Sequence, residues 1–183
     1  MPSPLGHAIA GITAGLAVAP APHDRPSWVR SIVLFAVAGT AADLDLLAGA
    51  HSGPTHGLGA AVLAGVATFL FLAARSKHAR ASAAQFALAV TAAYATHTLL
   101  DWLGTDTSPP IGIMGLWPFT HQYYESDLHL FAAVSRRYWL MPEFVYGNLR
   151  TIWRELLILV PPLLATTILR VRTSYRSKTQ EGP

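Results

Sequence analysis

Five apolar stretches alternate with short polar segments along the chain. Residues 57–74 contain no charged side chain over 18 residues. As a helix rising about 1.5 Å per residue, this stretch would cross the roughly 30 Å hydrocarbon core of a bilayer. Residues 83–100 are similar, with one histidine, His97, near their C-terminal end, and residues 31–42 run directly into an acidic segment. These three stretches predict three membrane helices.

The other two stretches are less regular. Residues 5–22 resemble a signal peptide in their small residues, but no lysine or arginine precedes Arg25, and a signal peptide needs a basic start. We therefore expect a retained helix that packs through Gly11 and Gly15, the small-residue spacing that lets membrane helices approach closely.

The last stretch, residues 156–169, contains Pro161 and Pro162. A proline inside a soluble helix costs about 3 kcal/mol or more, whereas membrane helices tolerate it better. We interpret this stretch as a kinked fifth span. The predicted fold is an all-α, polytopic membrane helix bundle with about five membrane segments, forming a single domain over residues 1–183.

Composition narrows the possible chemistry. Hydrophobic residues make up 52% of the chain and charged residues 13%, against about 25% charged in an average soluble domain. The chain has no cysteine, which excludes disulfide scaffolds, thiolate zinc sites, iron–sulfur clusters and cysteine nucleophiles. Eight histidines accompany only 10 acidic residues, so a metal held by histidine and carboxylate is the first chemistry to test.

Basic residues predict the orientation in the membrane. Nine of the 13 lysines and arginines fall in three segments on one predicted side, within residues 25–30, 75–80 and 170–178. By the positive-inside rule, the protein is predicted to be a multi-pass protein of the inner (plasma) membrane with its N-terminus outside and its C-terminus cytoplasmic. Residues 170–183 form a basic cytoplasmic tail that suits anionic lipid and gives no reason to expect nucleic acid.

This orientation brings candidate metal ligands to one face. Residues from the ends of four predicted spans converge on the outer side, although none of them was used to set the topology. They are His7, Asp43, Asp45, His51, His56, His97 and Asp101. His23 and His78 fall on the inner side and are expected to be solvated.

The segment 102–153 joins the last two spans on the same outer side. It carries 11 of the 18 aromatic residues, which favour the headgroup layer, so we predict an extracytoplasmic, interfacial cap. Helical spacing of apolar residues from Val145 to Leu156 predicts a surface helix before the fifth span. The cap also contains a second acidic and histidine cluster whose part in the site stays open, namely His121, Glu125, Asp127 and His129.

His97 and Asp101 form the sharpest pair. At a spacing of four residues they share one helix face, so imidazole and carboxylate can bind one cation. A hydrogen-bonded pair at a helix end is the alternative. Asp43 and Asp45 are two residues apart and cannot share a helix face, so at most one is expected to point into the pocket. We prefer Asp43 as the ligand, which leaves Asp45 to orient a histidine, face solvent or act as the catalytic base.

The segment from His51 to His56 contains Gly53 and Pro54, so a turn places its two histidines. His56 opens directly onto the clearest span and is the stronger candidate. His7 is a candidate ligand only because it is predicted to lie on the outer side of the membrane. The sequence has no G-x-S-x-G elbow, glycine-rich phosphate loop or H-E-x-x-H motif.

The order of these motifs resembles the YdjM-type family of membrane-bound, predicted metal-dependent hydrolases. The resemblance covers residues 4–120 and rests on His7, the D-x-D of Asp43 and Asp45, the H-x-G-x-T-H of 51–56, the H-x-x-x-D of 97–101, Gly112 and the Trp117-Pro118-Phe119 run. Ser52 and Gly57 depart from the residues usual in that family, which affects the expected substrate contacts.

The family is distantly similar to zinc-dependent phospholipase C and P1-type nucleases. That similarity implies two Zn²⁺ ions, or another divalent metal, with Asp101 suited to bridging them. The implied ligands are His7, Asp43, His56, His97 and Asp101. A third zinc ion, present in those enzymes, has no clear counterpart unless the cap cluster supplies one.

We therefore expect a zinc-dependent hydrolase that activates water against a phosphoester of a membrane lipid or lipid-linked substrate. The alternative is a non-enzymatic divalent-metal-binding membrane protein, such as a sensor, a carrier or a structural clamp. A third possibility is a metal-free helical scaffold.

Overall fold

The computed structural model describes residues 1–48, 51–75, 80–135 and 139–180, without the side chains of 47–48 and 176–180. These ranges form five α-helices and two short 3-10 helices, and pairing between extended segments is limited to two isolated bridges. The α-helices are α1 Pro4–Val18, α2 Arg25–Thr40, α3 Leu58–Arg75, α4 Arg80–Trp102 and α5 Glu143–Gln180. The predicted all-α class is confirmed.

Helix α1 lies at the centre of the bundle, where it packs against α2, α4 and α5, while α3 packs on α4. Its contact with α2 depends on glycine. A Cβ atom added at Gly11 would lie 2.5 Å from the carbonyl oxygen of Phe35 and 2.8 Å from the Cα of Gly39. The ring of Phe35 fills the space beside Gly15. The predicted close packing through these two glycines is confirmed.

Helix α5 is parallel to α1 and contacts both of its ends. The buried carboxylate of Glu155 accepts hydrogen bonds from Ser3, the N-cap residue of α1. Fifteen residues further on, Arg170 donates from Nε to the carbonyl oxygen of Leu16, at 2.6 Å, and from a terminal nitrogen to that of Ala17. An acid at the start of a helix and a base at its end both complement the helix dipole.

The prediction of a separate surface helix before the fifth span is wrong. Helix α5 is one element of 38 residues that includes the 145–156 segment and continues through Pro161 and Pro162. The two prolines remove two N–H donors from a long ladder of hydrogen bonds, and apolar residues on both sides keep the helical spacing.

Two helices are long and apolar enough to cross a membrane, α3 and the Glu143–Tyr175 part of α5. Most of their residues face outward from the bundle. The prediction of about five spans is not supported among the described residues. Helix α1 has 15 residues and α2 has 16, each too short for a regular span, and the C-terminal half of α4 carries polar side chains such as Thr91, Thr98 and Asp101.

The described part of the predicted cap, before α5, is loop tied to the helix ends by backbone hydrogen bonds. Leu58 N and Gly59 N at the start of α3 donate to Gly115 O and Trp117 O, both at 2.9 Å. At the end of α4, Ser126 N donates to Trp102 O, also at 2.9 Å. The cap therefore covers the end of the bundle where α1 and α3 begin and α4 ends.

Candidate metal centre

The predicted ligands come together at this covered end of the bundle. His7 lies in the first turns of α1, Asp43 and Asp45 lie in the 3-10 helix Ala41–Ala48, and His56 ends the 3-10 helix Pro54–His56. His97 and Asp101 occupy the last turns of α4, and His51 lies in the loop before the second 3-10 helix. Four of these side chains are almost fully buried: His7, His56, His97 and Asp101.

Four side-chain atoms, from His56, His97, Asp101 and Asp43, lie close together at the centre of the site, and we call this group the cage. Asp101 Oδ2 lies 3.1 Å from His97 Nε2 and 3.6 Å from His56 Nε2. Asp43 Oδ1 lies 3.7 Å from His56 Nε2 and 3.8 Å from His97 Nε2. Tetrahedral zinc with bonds of about 2.0–2.2 Å needs ligand atoms roughly 3.3–3.6 Å apart. The ligand atoms of His56, His97 and Asp101 all lie within 4.8 Å of one another, so these three residues could hold one ion. Asp43 belongs to two neighbouring groups, one with His7 and His97 and one with His51 and His56.

His7 lies beside this cage on the other oxygen of the same carboxylate. Its Nε2 is 3.3 Å from Asp101 Oδ1. Its ring stacks on His97, with centroids 3.8 Å apart and planes inclined by 14°. Asp101 thus faces His56 and His97 with one oxygen and His7 with the other, which is the arrangement of a carboxylate able to bridge two ions.

The imidazoles of His97 and His56 are each oriented by contacts to the Nδ1 side of the ring. His97 Nδ1 is 2.8 Å from the carbonyl oxygen of Gly39, which directs Nε2 at the cage. His56 Nδ1 lies 3.4 Å from Asp45 Oδ2 and 3.1 Å from the Thr55 hydroxyl, and that hydroxyl donates to Asp45 Oδ2 at 2.9 Å. Metal-binding histidines are oriented in this way by a carbonyl or carboxylate on the second ring nitrogen.

Asp43 and Asp45 lie on opposite sides of the His56 ring. Asp43 faces Nε2 and Asp45 faces Nδ1. The regular helix has ended at Thr40, and the tighter 3-10 turn lets both carboxylates approach the same histidine. The two aspartates therefore contact different nitrogens of His56, and neither side chain points into solvent. His51 lies at the edge, with Nδ1 4.0 Å from Asp45 and its ring edge-on to His56.

Several buried ligand atoms have no hydrogen-bond partner within the described ranges. These atoms are His56 Nε2, His97 Nε2 and both carboxylate oxygens of Asp101. Buried polar atoms are nearly always paired, because leaving one unpaired costs about 1–3 kcal/mol. A cation in the cage would satisfy His56 Nε2, His97 Nε2 and one oxygen of Asp101 together. Partial burial opposes ionisation of Asp43, but the neighbouring imidazoles of His56 and His97 outweigh it and lower the pKa of that carboxyl.

The cage opens on one side. A cavity of about 840 Å³ reaches Asp43 and His51, and its wall includes the N-terminal residues of the chain and the loop 106–110. The side chain of Asp43 is 22% exposed, whereas those of His56 and His97 are fully buried. The carboxylate of Asp43 therefore lies between the buried ligand atoms and an open space that can admit a small molecule.

The second predicted cluster does not assemble. Glu125 and His129 approach each other at 3.7 Å, and Glu125 also accepts from the backbone of Asp106. His121 and Asp127 are exposed and belong to none of the possible metal groups found among the described residues. His23 is exposed beside Asp24, as predicted, and His78 lies outside the described residues.

Sequence reasoning missed the groups that support the site. The carbonyl of Gly39 is a backbone group, so no residue type marks it in the sequence. Thr55 lies within the H-x-G-x-T-H run, but no role was predicted for it. Glu155 could have been found as the carboxylate directly before the apolar run 156–169, since an acid beside a membrane segment is costly unless it has a function.

Comparison with known proteins identifies a family. The model of the YdjM inner membrane protein family matches residues 1–174. No curated protein and no solved structure matches the chain. The match covers all seven predicted ligand positions and every described helix except the last residues of α5. The chain therefore belongs to the YdjM family of inner membrane proteins.

Proposed function

We propose that this protein is a membrane-bound, zinc-dependent hydrolase that cleaves a phosphoester of a lipid or lipid-linked substrate. The observation that carries the proposal is the buried set of unpartnered ligand atoms on His56, His97 and Asp101 beside an open cavity. The donor set of imidazole and carboxylate suits zinc. A bound divalent ion would activate water and neutralise charge on a phosphoryl oxygen.

The protein groups have separate tasks in this proposal. His56, His97 and one oxygen of Asp101 would hold one ion, with Asp43 on its cavity side, and His7 with the other oxygen of Asp101 would form part of a second position. Asp45 holds Nδ1 of His56, so its contacts support the orienting role more than the role of catalytic base. Asp43, at the cavity edge, contacts both the ion and the space where a phosphoester would lie.

The position of the site supports the proposal of a lipid substrate. All the ligands gather at one end of a bundle whose outward surfaces on α3 and α5 are apolar. A centre at that depth can reach a phosphate headgroup whose acyl chains stay in the bilayer. We further propose the multi-pass orientation predicted by the basic residues, with the N-terminus and the metal centre outside and the C-terminus cytoplasmic.

The non-enzymatic alternative also has one supporting observation. Asp43 Oδ1 approaches the nitrogens of both His56 and His97. If it moved to bind the same ion as Asp101, four protein ligands would hold that ion, as is typical of structural zinc. In a sensor or clamp, Asp43 would remain bound and the cavity would not be used. A catalytic site requires a ligand position open to water.

Metal analysis and hydrolysis, measured on the same purified samples, test the proposal. The parent and Asp127→Asn, which alters an exposed carboxylate, should bind zinc and release headgroup or phosphate from at least one phospholipid in a panel. Asp101→Asn should lose both properties. Zinc binding without hydrolysis of any lipid would favour the clamp or sensor, and equal zinc content in all three samples would reject the metal centre.

A further inference from the structure

An exposed apolar stripe follows the outer face of α2. Val29, Val33 and Val37 are spaced four residues apart, so they lie on one helix face. Their exposed fractions are 55%, 56% and 60%. The opposite face, with Phe35 and Gly39, is buried, because α2 packs against α1 and α4. Within the described part of the chain, the stripe faces outward.

The stripe ends at the cavity beside the metal centre. Thr40 follows Val37 by three residues, which places it next along the same surface. Thr40, Asp43 and Leu46 all line the cavity. The distance from Val29 to Thr40 along the helix is about 16 Å at a rise of about 1.5 Å per residue. An apolar path of that length therefore runs into a cavity of mixed polarity that is bounded by a candidate metal ligand.

This layout matches an amphiphile better than a second protein surface. The apolar part is a narrow row of valines, and the other part is a concave space whose lining combines apolar residues with Asp43 and hydroxyl side chains such as Thr40 and Ser108. A phospholipid has the same two parts in the same order, a hydrocarbon chain and a phosphate. Since the chain belongs to an inner membrane protein family, phospholipid surrounds it.

We propose that the valine stripe of α2 binds one acyl chain of a phospholipid whose phosphate headgroup occupies the cavity beside Asp43. This interaction would be the route by which the substrate reaches the metal centre. The claim that the bound lipid is then cleaved rests on the proposed function. Helix α2 is thereby a lipid-selecting element, although it is too short for a regular span.

Native mass spectrometry of the delipidated protein tests the interaction without requiring activity. The sample is mixed with equal amounts of dioleoyl phosphatidylethanolamine, phosphatidylglycerol and phosphatidic acid, and the retained lipid is identified by its mass. The variants are Val37→Asn and Val33→Asn. Val62→Asn is the matched control, because Val62 is 54% exposed on α3, away from the cavity.

The parent and Val62→Asn should each retain one phospholipid, and both α2 variants should lose it while keeping their helix content by circular dichroism. Equal retention in all four samples would overturn the proposal. So would a parent that retains no phospholipid, or one that forms a dimer which the α2 variants disrupt, since a second copy would then cover the stripe.

The proposed function is assayed separately by adding zinc to the same samples and measuring released headgroup or phosphate. A retained lipid that is never cleaved would reject the hydrolase and leave the binding route standing. Cleavage by the parent with unchanged lipid retention in the α2 variants would reject the route and leave the hydrolase standing.

Discussion

Glu155 on α5 accepts hydrogen bonds from both the backbone N–H and the hydroxyl of Ser3, the residue that caps α1. The Ser3 carbonyl in turn accepts from the backbone N–H of His7, at 3.1 Å. Glu155 is 1% exposed. A carboxylate of the longest apolar helix therefore fixes the start of the helix that carries a candidate metal ligand.

Replacing Glu155 with leucine should destabilise the fold. The substitution leaves the backbone N–H and the hydroxyl of Ser3 buried without an acceptor, and each unpaired donor costs about 1–3 kcal/mol of stability. Thermal unfolding in detergent should show a clear fall in Tm, with a smaller fall for Glu155→Gln, which still accepts one hydrogen bond. Glu143→Gln, at an exposed position in the first turn of the same helix, should leave Tm nearly unchanged. An unchanged Tm in Glu155→Leu would show that the contact contributes nothing to stability.

Removing the charge of Asp101 should remove metal. Asp101→Asn keeps the side-chain size, but an amide is a poor ligand for zinc and cannot present an oxygen to both His7 and the cage. Zinc content after dialysis, measured by elemental analysis, should fall sharply relative to the parent. Asp127→Asn is the control. If Asp101→Asn keeps the parent's zinc content, the pair His97 and Asp101 is a structural hydrogen-bonded pair.

Asp45→Asn should weaken metal binding without abolishing it. The carboxylate contacts the Nδ1 side of His56, away from the cage, and losing such an orienting group typically costs about 10–100-fold in affinity or activity. Competition with a chelator would measure the change in Kd. Thr55→Val, which removes the hydroxyl between the two side chains, should shift Kd in the same direction. An Asp45→Asn protein with the parent's zinc affinity and no hydrolysis would instead make Asp45 the catalytic base.

Gly11→Ala should destabilise the bundle, because its Cβ would lie 2.5 Å from the carbonyl oxygen of Phe35, a backbone atom that cannot turn aside. Overpacking of this kind typically costs about 1–3 kcal/mol. Gly147→Ala is a matched control within α5, where an added Cβ meets nothing within 4 Å. There alanine should raise stability by roughly 0.5–1 kcal/mol through helix propensity. Equal Tm changes in the two variants would rule out close packing as the role of Gly11.

Much of this architecture was predictable because helices and spacing are local properties. The apolar runs marked every helix, and the spacing of His97 and Asp101 placed both on one face. The common position of His7, Asp43 and His56 followed from alternating helix directions alone.

Other features depend on tertiary contacts that cannot be inferred from residue spacing. The 3-10 turn after Thr40 lets both aspartates reach His56, although a regular helix would have separated them. The Gly39 carbonyl contacts His97 because α2 packs against α4, a contact that residue spacing does not reveal. A span through Pro161 and Pro162 was predicted, but its unbroken continuation from the 145–156 segment was not, because spacing alone does not show that two helical stretches join.

The ends of the bundle should label from opposite sides of the membrane. Ser108 lines the cavity at the metal end, whereas His23 lies between α1 and α2 at the other end; both are exposed. The chain has no native cysteine, so only introduced thiols react. Under the proposed orientation, a membrane-impermeant maleimide added to whole spheroplasts should label Ser108→Cys and spare His23→Cys. Both should label once the membrane is permeabilised.

Labelling of both cysteines in intact spheroplasts would contradict a bundle that crosses the membrane with its metal centre at one face. Labelling of His23→Cys alone would reverse the orientation. The centre would then face the cytoplasm, and the lipid substrate would come from the inner leaflet.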